Sequence, residues 1–216
     1  ERFQTFFPGL KGSRGFVFPY GIGGTNNPFN FKTSSEGEWE VCKNVERNKN
    51  CVLGLSGISL TTSDSLARIK IILKKKNYLS YDYNSIRIFH NCDSSYSIDV
   101  ENANIIKYST NDSLMYSKFD FNKYFQDTLS IKIYKTDSSD SSFILHGIML
   151  ENDDPGIVYN TIGVNGADIF SYLRCEKFEQ QLSALNPDLV IVSLGTNDAY
   201  PKKIDSLKIE HNYSKL

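Results

Sequence analysis

Several things that would define a function outright are missing from this sequence. No apolar run reaches the ~20 residues of a membrane-spanning helix, so no membrane span is expected. There is no signal peptide and no initiating Met; the chain opens at Glu1-Arg2-Phe3, which reads as a processed or truncated product. Neither sign of charge dominates. With 24 Lys+Arg against 25 Asp+Glu the formal net charge is -1, which argues against a nucleic-acid partner and against an acidic tail protein. The four cysteines form no C-x2-C pair, and only His90 lies close to one of them, so no structural zinc site is expected; no other metal and no cofactor is expected either. Disorder is excluded from the other side: 40% hydrophobic and 13% aromatic residues are too many for an unfolded chain.

What is present fits one large domain or two small ones. Cys42 and Cys51 stand nine apart across a polar segment, Lys-Asn-Val-Glu-Arg-Asn-Lys-Asn. Two strands joined by that loop would bring them to bridging distance; the alternative is two reduced, buried thiols. A bridge would point to an oxidising compartment. Asn111-Asp-Ser113 and Asn212-Tyr-Ser214 match glycosylation acceptors, a match common by chance.

The pattern changes character twice. Residues 1–30 are rich in Gly and Pro around one short apolar run, Phe16-Val-Phe18, with the last turns of a helix expected over Glu1–Phe7 before Pro8-Gly9. Residues 31–150 read as strands. Leu66–Leu73, Ser85–His90, Ser97–Val100, Ile105–Tyr108, Thr128–Tyr134 and Phe143–Leu150 show apolar residues at or near period two. Asn-, Asp- and Ser-rich links between them predict an antiparallel β-sandwich or jelly roll. After Asn152-Asp-Asp-Pro-Gly156 the pattern switches again. A short strand at Ile157–Tyr159, helical spacing over Ala167–Leu185 and a continuous apolar run at Leu189–Leu194 predict a βαβ unit of a parallel sheet. The polar loops Gly163–Asp168 and Gly195–Tyr200 would then lie at the carboxyl ends of its strands, where ligands bind.

The chemistry concentrates in those loops. The Asn197 side-chain amide at a strand end has two hydrogens to offer an oxygen that becomes negative in a transition state. Gly166 lets the backbone approach a ligand and present its N–H. The competing reading makes both segments plain turns, with Asn197 and Asp198 a helix cap. Val158-Tyr-Asn-Thr-Ile-Gly-Val-Asn-Gly-Ala167, followed by Pro187-Asp-Leu-Val-Ile-Val-Ser-Leu-Gly-Thr-Asn-Asp198, resembles the second and third blocks of the SGNH (GDSL-like) hydrolase superfamily. The resemblance implies an α/β class: a flavodoxin-like α/β/α hydrolase portion over 1–29 and 151–216, with an inserted carbohydrate-binding-module-like β-sandwich over 30–150. It further implies a serine esterase similar to bacterial peptidoglycan and polysaccharide O-acetylesterases, acting outside the cytoplasm, periplasmic or secreted, on an acetylated glycan or other ester. Gly166 and Asn197 match the oxyanion-hole donors. Gly163, Asn165, Gly195 and Asp198 flank them.

The departures are as informative. The family's Gly-Asp-Ser and Asp-x-x-His blocks do not occur here; Ser63-Asp-Ser65 lacks the glycine, and Asp205 and His211 are six apart. The nucleophile and base are therefore expected from the remaining N- and C-terminal parts of the same hydrolase, before Glu1 and after Leu216. His90 and His146 fall in predicted strands and His211 on a predicted helix, all read as structural or surface residues. Among the aromatics, Trp39, Tyr81, Tyr83, Tyr96, Tyr108 and Tyr134 are candidates for a sugar-stacking platform, weighed against ordinary sheet packing. The basic run at Lys70, Lys74, Lys75 and Lys76 reads as a solvated edge. The alternative to an esterase is a noncatalytic carbohydrate- or cell-wall-binding module with a degenerate hydrolase flank.

Overall fold

A computed structural model describes residues 12–24, 30–74, 81–200 and 205–215. The helix expected over Glu1–Phe7 and the Lys75–Lys76 end of the basic run lie outside the described residues. Two compact units are present: Glu1–Glu40 with Leu60–Thr161, and Val41–Ser59 with Ile162–Leu216.

The strands, numbered in chain order, are β1 (Gly15–Val17), β2 (Phe31–Glu36), β3 (Glu40–Lys43), β4 (Ile58–Thr62), β5 (Leu66–Leu73) and β6 (Tyr83–His90); all but β3, whose Val41–Lys43 belong to the second unit, and the first two residues of β4 build the first unit. They continue with β7 (Tyr96–Val100), β8 (Ile105–Asn111), β9 (Tyr116–Phe125), β10 (Thr128–Lys135) and β11 (Phe143–Glu151). A smaller sheet has the order β2-β5-β10-β7. A larger one runs β4-β11-β6-β9-β8, with β1 added alongside β11. Every pairing within these orders is antiparallel.

Alternation explains the arrangement. On β5 and β10, Ala67, Ile69, Ile71, Leu129, Ile131 and Ile133 are each at most 1% exposed. The residues between them, including Arg68, Lys70, Ser130 and Lys132, form the opposite face. Ile69 sits opposite Ile131, so two apolar rows coincide and one face of the smaller sheet is dry. Ile86, Ile88, Phe119, Leu145 and Ile148 do the same for the larger sheet. The two dry faces meet. Tyr83 on β6 donates its hydroxyl to the Thr128 carbonyl of the smaller sheet at 3.1 Å. The Tyr96 and Phe143 rings, one from each sheet, lie 5.9 Å apart. One glycine is obligatory. At Gly147, where the β11–β6 register shifts, φ is +153° and an added Cβ would come within 2.1 Å of the Phe16 ring.

The second unit corrects the expected fold class. A flavodoxin-like α/β/α portion with a parallel βαβ unit is not what the chain forms. Leu189–Leu194 is not a strand and joins no ladder among the described residues, and Leu189 and Ile191 are 75% and 76% exposed. Ile157–Tyr159, in the first unit, is likewise outside any ladder. The helical spacing over Ala167–Leu185 resolves into two short helices, α1 (Ile169–Leu173) and α2 (Phe178–Leu185). A continuous apolar run becomes a parallel strand only when neighbours supply ladder partners and cover both faces. Local periodicity carries no information on whether those neighbours exist. The helix breaks because Cys175 turns inward to join a cluster with Cys42 and Leu53, while the Lys177 N–H bonds the Leu53 carbonyl at 3.0 Å. A last helix, α3, spans Ser206–Tyr213, with the Asp205 carboxylate capping the Lys208 N–H at 3.0 Å.

Cys42 and Cys51 are joined as a disulfide with Cα atoms 6.4 Å apart. Their loop is held by Arg174, whose guanidinium donates to the carbonyls of Asn44 (2.7 Å), Glu46 (3.3 Å) and Lys49 (3.0 Å).

Candidate functional site

The loops singled out in the sequence both lie in the second unit, and hydrogen bonds join them. In the first loop the Ala167 N–H closes a turn onto the Val164 carbonyl at 3.1 Å. Gly166 has φ +82° and open space where a Cβ would stand. Its N–H donates to no group among the described residues. Gly163 is equally open, and Asn165 is exposed. Asp168 then caps α1, accepting from the Ser171 N–H at 2.8 Å in a capping box. Burial works to raise the Asp168 pKa, but the Ser171 donors and the Arg47 guanidinium outweigh it and hold the carboxyl below the usual range.

In the second loop the Ala199 N–H bonds the Gly195 carbonyl at 2.9 Å. The Asn197 amide donates to the Ala167 carbonyl at 2.8 Å, next in sequence to Gly166. Both Asp198 oxygens accept from the Ile169 N–H, at 3.2 and 3.3 Å. Gly195 has φ +118°, and the neighbouring Leu194 carbonyl accepts the Tyr213 hydroxyl at 2.9 Å. One Asn197 hydrogen is thus engaged in tying the loops together, which leaves the second for another acceptor. The arrangement is a pair of joined turns with an open Gly166 N–H beside them.

The histidines lie elsewhere. His211 is exposed on the last turn of α3. His146 is fully buried on β11. His90 on β6 makes a Ser–His pair that the sequence did not reveal: its Nε2 is 2.9 Å from the Ser117 hydroxyl. This pair is not a catalytic dyad. The Cys92 N–H donates to His90 Nδ1 at 3.1 Å, so in the neutral ring the proton sits on Nε2. Nε2 then donates to Ser117 and has no lone pair for the serine proton. Ser117 and His90 are 1% and 5% exposed, and burial pushes the imidazole down to about 4. From Ser117 the polar chain continues outward to Thr110 (3.1 Å) and the Tyr108 hydroxyl (2.9 Å). Among the described residues, no group of three His, Cys, Asp or Glu converges as a metal site.

The proposed aromatic platform does not assemble. Tyr83 and Tyr96 are buried between the sheets, while Tyr108 is 57% exposed on β8. Trp39 donates its indole N–H to the Glu36 carbonyl at 3.1 Å, and Arg14 lies over the Tyr81 ring. Tyr134 lies on β10 beside Lys132. Another feature of the first unit escaped the sequence reading. Lys70, Glu101, Asn102, Lys123–Thr128 and Ser130 line an open cleft of about 620 Å³ at one end of the smaller sheet. Its β9 lining, Lys123–Phe125, begins just after the alternation of Tyr116–Phe121 stops, and Asn122, Lys123 and Tyr124 are all exposed.

No protein-family model matches the chain, and no curated protein matches it. Among solved structures, the chain superposes on a peptidoglycan O-acetylesterase with a TM-score of 0.63 at 18% identity, over 97% of this chain and 57% of that one. That likeness shows the fold alone. This chain therefore spans little more than half the length of the structure it matches. Two catalytic-domain structures of a GH87 α-1,3-glucanase, one with tetrasaccharides and one with nigerose, match at TM-score 0.36 and 10% identity. Scores that low say nothing further about this chain.

Proposed function

We propose that this chain is a carbohydrate- or cell-wall-binding β-sandwich module with a hydrolase-like flank that does not complete an active site by itself. The observation that carries the reading is the likeness in fold, over 97% of the chain, to a protein that acts on peptidoglycan. Two further observations support it. The Ser–His pair within the described residues is buried and in the wrong tautomer for hydrolysis. The Cys42–Cys51 disulfide suits a protein working outside the cytoplasm, in the periplasm or secreted. Among the described residues no helix is long and apolar enough to cross a membrane. The test is co-sedimentation of the purified chain with insoluble peptidoglycan and with other insoluble polysaccharides. Binding to at least one is expected, together with no turnover of an activated acetyl ester. Absence of binding to all of them would overturn the reading.

A second reading is favoured by one observation, the hydrogen-bonded union of the two loops through Asn197 and Asp198. In it, the loops are a distant version of SGNH blocks two and three. Gly166 and the second Asn197 hydrogen stabilise an oxyanion, and polypeptide outside these 216 residues brings serine and histidine to an acetylated glycan. Removing one such donor costs about 10²–10³ in kcat. In a longer active form, Asn197→Ala would then reduce ester turnover by that factor while leaving polymer binding unchanged. Unchanged turnover would eliminate the second reading and leave the first intact.

A further inference from the structure

We infer that the cleft of the smaller sheet is the glycan site of this module and that its ligand is an uncharged oligosaccharide. The inference rests on the carbohydrate-binding reading above and gives it a location and a ligand class. The cleft's volume of about 620 Å³ falls within the ~300–1,000 Å³ of small-ligand sites.

Backbone pairing builds it. Lys70 on β5 sits opposite Ser130 on β10, so both belong to the polar face of the smaller sheet. The segment after β7 is anchored reciprocally to β10. The Glu101 N–H donates to the Ser130 carbonyl at 2.9 Å, and the Ser130 hydroxyl donates back to the Glu101 carboxylate at 2.6 Å. Asn102 follows in the left-handed conformation, φ +59°, which turns the chain at the cleft wall. The opposite wall is the β9–β10 connection, tied down where the Leu73 N–H bonds the Asp127 carbonyl at 2.7 Å. The site therefore stands on ladder-anchored backbone and needs little ordering on binding.

Its chemistry suits hydroxyl groups. Two lysines, Lys70 and Lys123, and two acidic residues, Glu101 and Asp127, line the cleft, so the lining carries no excess of either sign. The Asn102 and Gln126 amides and the Thr128 and Ser130 hydroxyls are interspersed with them. Charged donors and acceptors make the stronger hydrogen bonds to neutral hydroxyls. Glu101 is fixed by the Ser130 hydroxyl and by Arg68 at 3.0 Å, interactions that hold its carboxyl below the usual range. It stays an ionised acceptor in mild acid. Tyr124, 51% exposed, adds an aromatic surface for the apolar face of a sugar ring. A balanced lining has no reason to select a polyanion.

The test uses tetramers of β-1,4-linked glucose and of N-acetylglucosamine as neutral probes, with a galacturonate tetramer as the acidic one. Binding is followed by calorimetry and by amide NMR shifts on the whole chain. At least one neutral tetramer should bind, and Tyr124→Ala and Gln126→Ala should each weaken it about tenfold. Lys107→Ala, on β8 and outside the cleft, should leave it unchanged. Raising salt to about 1 M, where the Debye length is ~3 Å, should change the affinity less than threefold. Equal binding by both cleft variants would place the site elsewhere and overturn this inference while the glycan-binding reading stands. Preference for galacturonate, or affinity that collapses in salt, would overturn the neutral-ligand assignment. Failure to bind any probe or polymer would overturn both.

Discussion

Acidification should destabilise this protein through His90, and the size of the effect follows from its surroundings. The ring is 5% exposed and stacked on Phe143 with centroids 5.2 Å apart. Its two nitrogens are committed to the Cys92 N–H and the Ser117 hydroxyl. Burial lowers its pKa to about 4 in the folded state, against ~6.5 for a histidine in an unfolded chain. The unfolded chain therefore takes up the proton first as pH falls. The contribution of the neutral ring is fully present above about pH 6.5 and is lost as the pH drops through about 4. The whole span is worth about 3 kcal/mol, and about 2 kcal/mol should already be gone at pH 5. Carboxylates add their own slope, so the measurement is a difference. Urea unfolding of the wild type and of His90→Gln is compared at pH 7.5 and pH 5. Gln keeps a donor near Ser117 but leaves the Cys92 N–H unpaired, which costs about 1–3 kcal/mol at pH 7.5. The variant's loss between the two pH values should then be about 2 kcal/mol smaller than that of the wild type. Parallel pH profiles, or a His90 NMR titration midpoint above 6, would refute the tautomer and burial argument together. It would also reopen Ser117 as a nucleophile.

Further outcomes follow from other contacts. Reducing Cys42–Cys51, or replacing both with Ala, opens a loop of about ten residues and should cost about 3 kcal/mol in the chain-entropy account, measured by urea unfolding with and without reductant; a loss under about 1 kcal/mol would contradict it. Arg174→Met removes the donors to three loop carbonyls and should cost about 1–3 kcal/mol, with faster amide exchange confined to residues 44–49. Gly147→Ala should be the harshest single methyl addition, losing more than about 2 kcal/mol because the Phe16 ring fills the space. The carbon added at Gly24 meets nothing within 4 Å and serves as the contrasting substitution, subject only to its φ of +62°.

Much of the sandwich was legible because alternation is a local property. Leu66–Leu73 and Thr128–Lys135 declare their buried faces residue by residue, and a sheet with one dry face needs little else to specify it. Strand β9 was harder to read because Asn122, Lys123 and Tyr124 break the alternation where it bends into the cleft. The loop motifs were legible as chemistry, since Gly166 and Asn197 are residue types suited to offering N–H donors. Their geometry was not, since the bond from Asn197 to the Ala167 carbonyl joins positions 30 apart in sequence.

By itself, then, the amino-acid sequence determined six of the antiparallel strands, the inward faces of β5 and β10, and two glycine-containing loops rich in hydrogen-bonding groups. These depend on side-chain period and on backbone preferences that act within a few residues. Tertiary structure alone decided three other matters. It left Leu189–Leu194 outside any ladder, because a strand exists only with a partner that local sequence cannot supply. It set the His90 tautomer through the Cys92 N–H and a serine 27 residues away. It also gathered Lys70, Glu101, Gln126 and Ser130 into one cleft, because sheet register brings distant polar rows onto a common face.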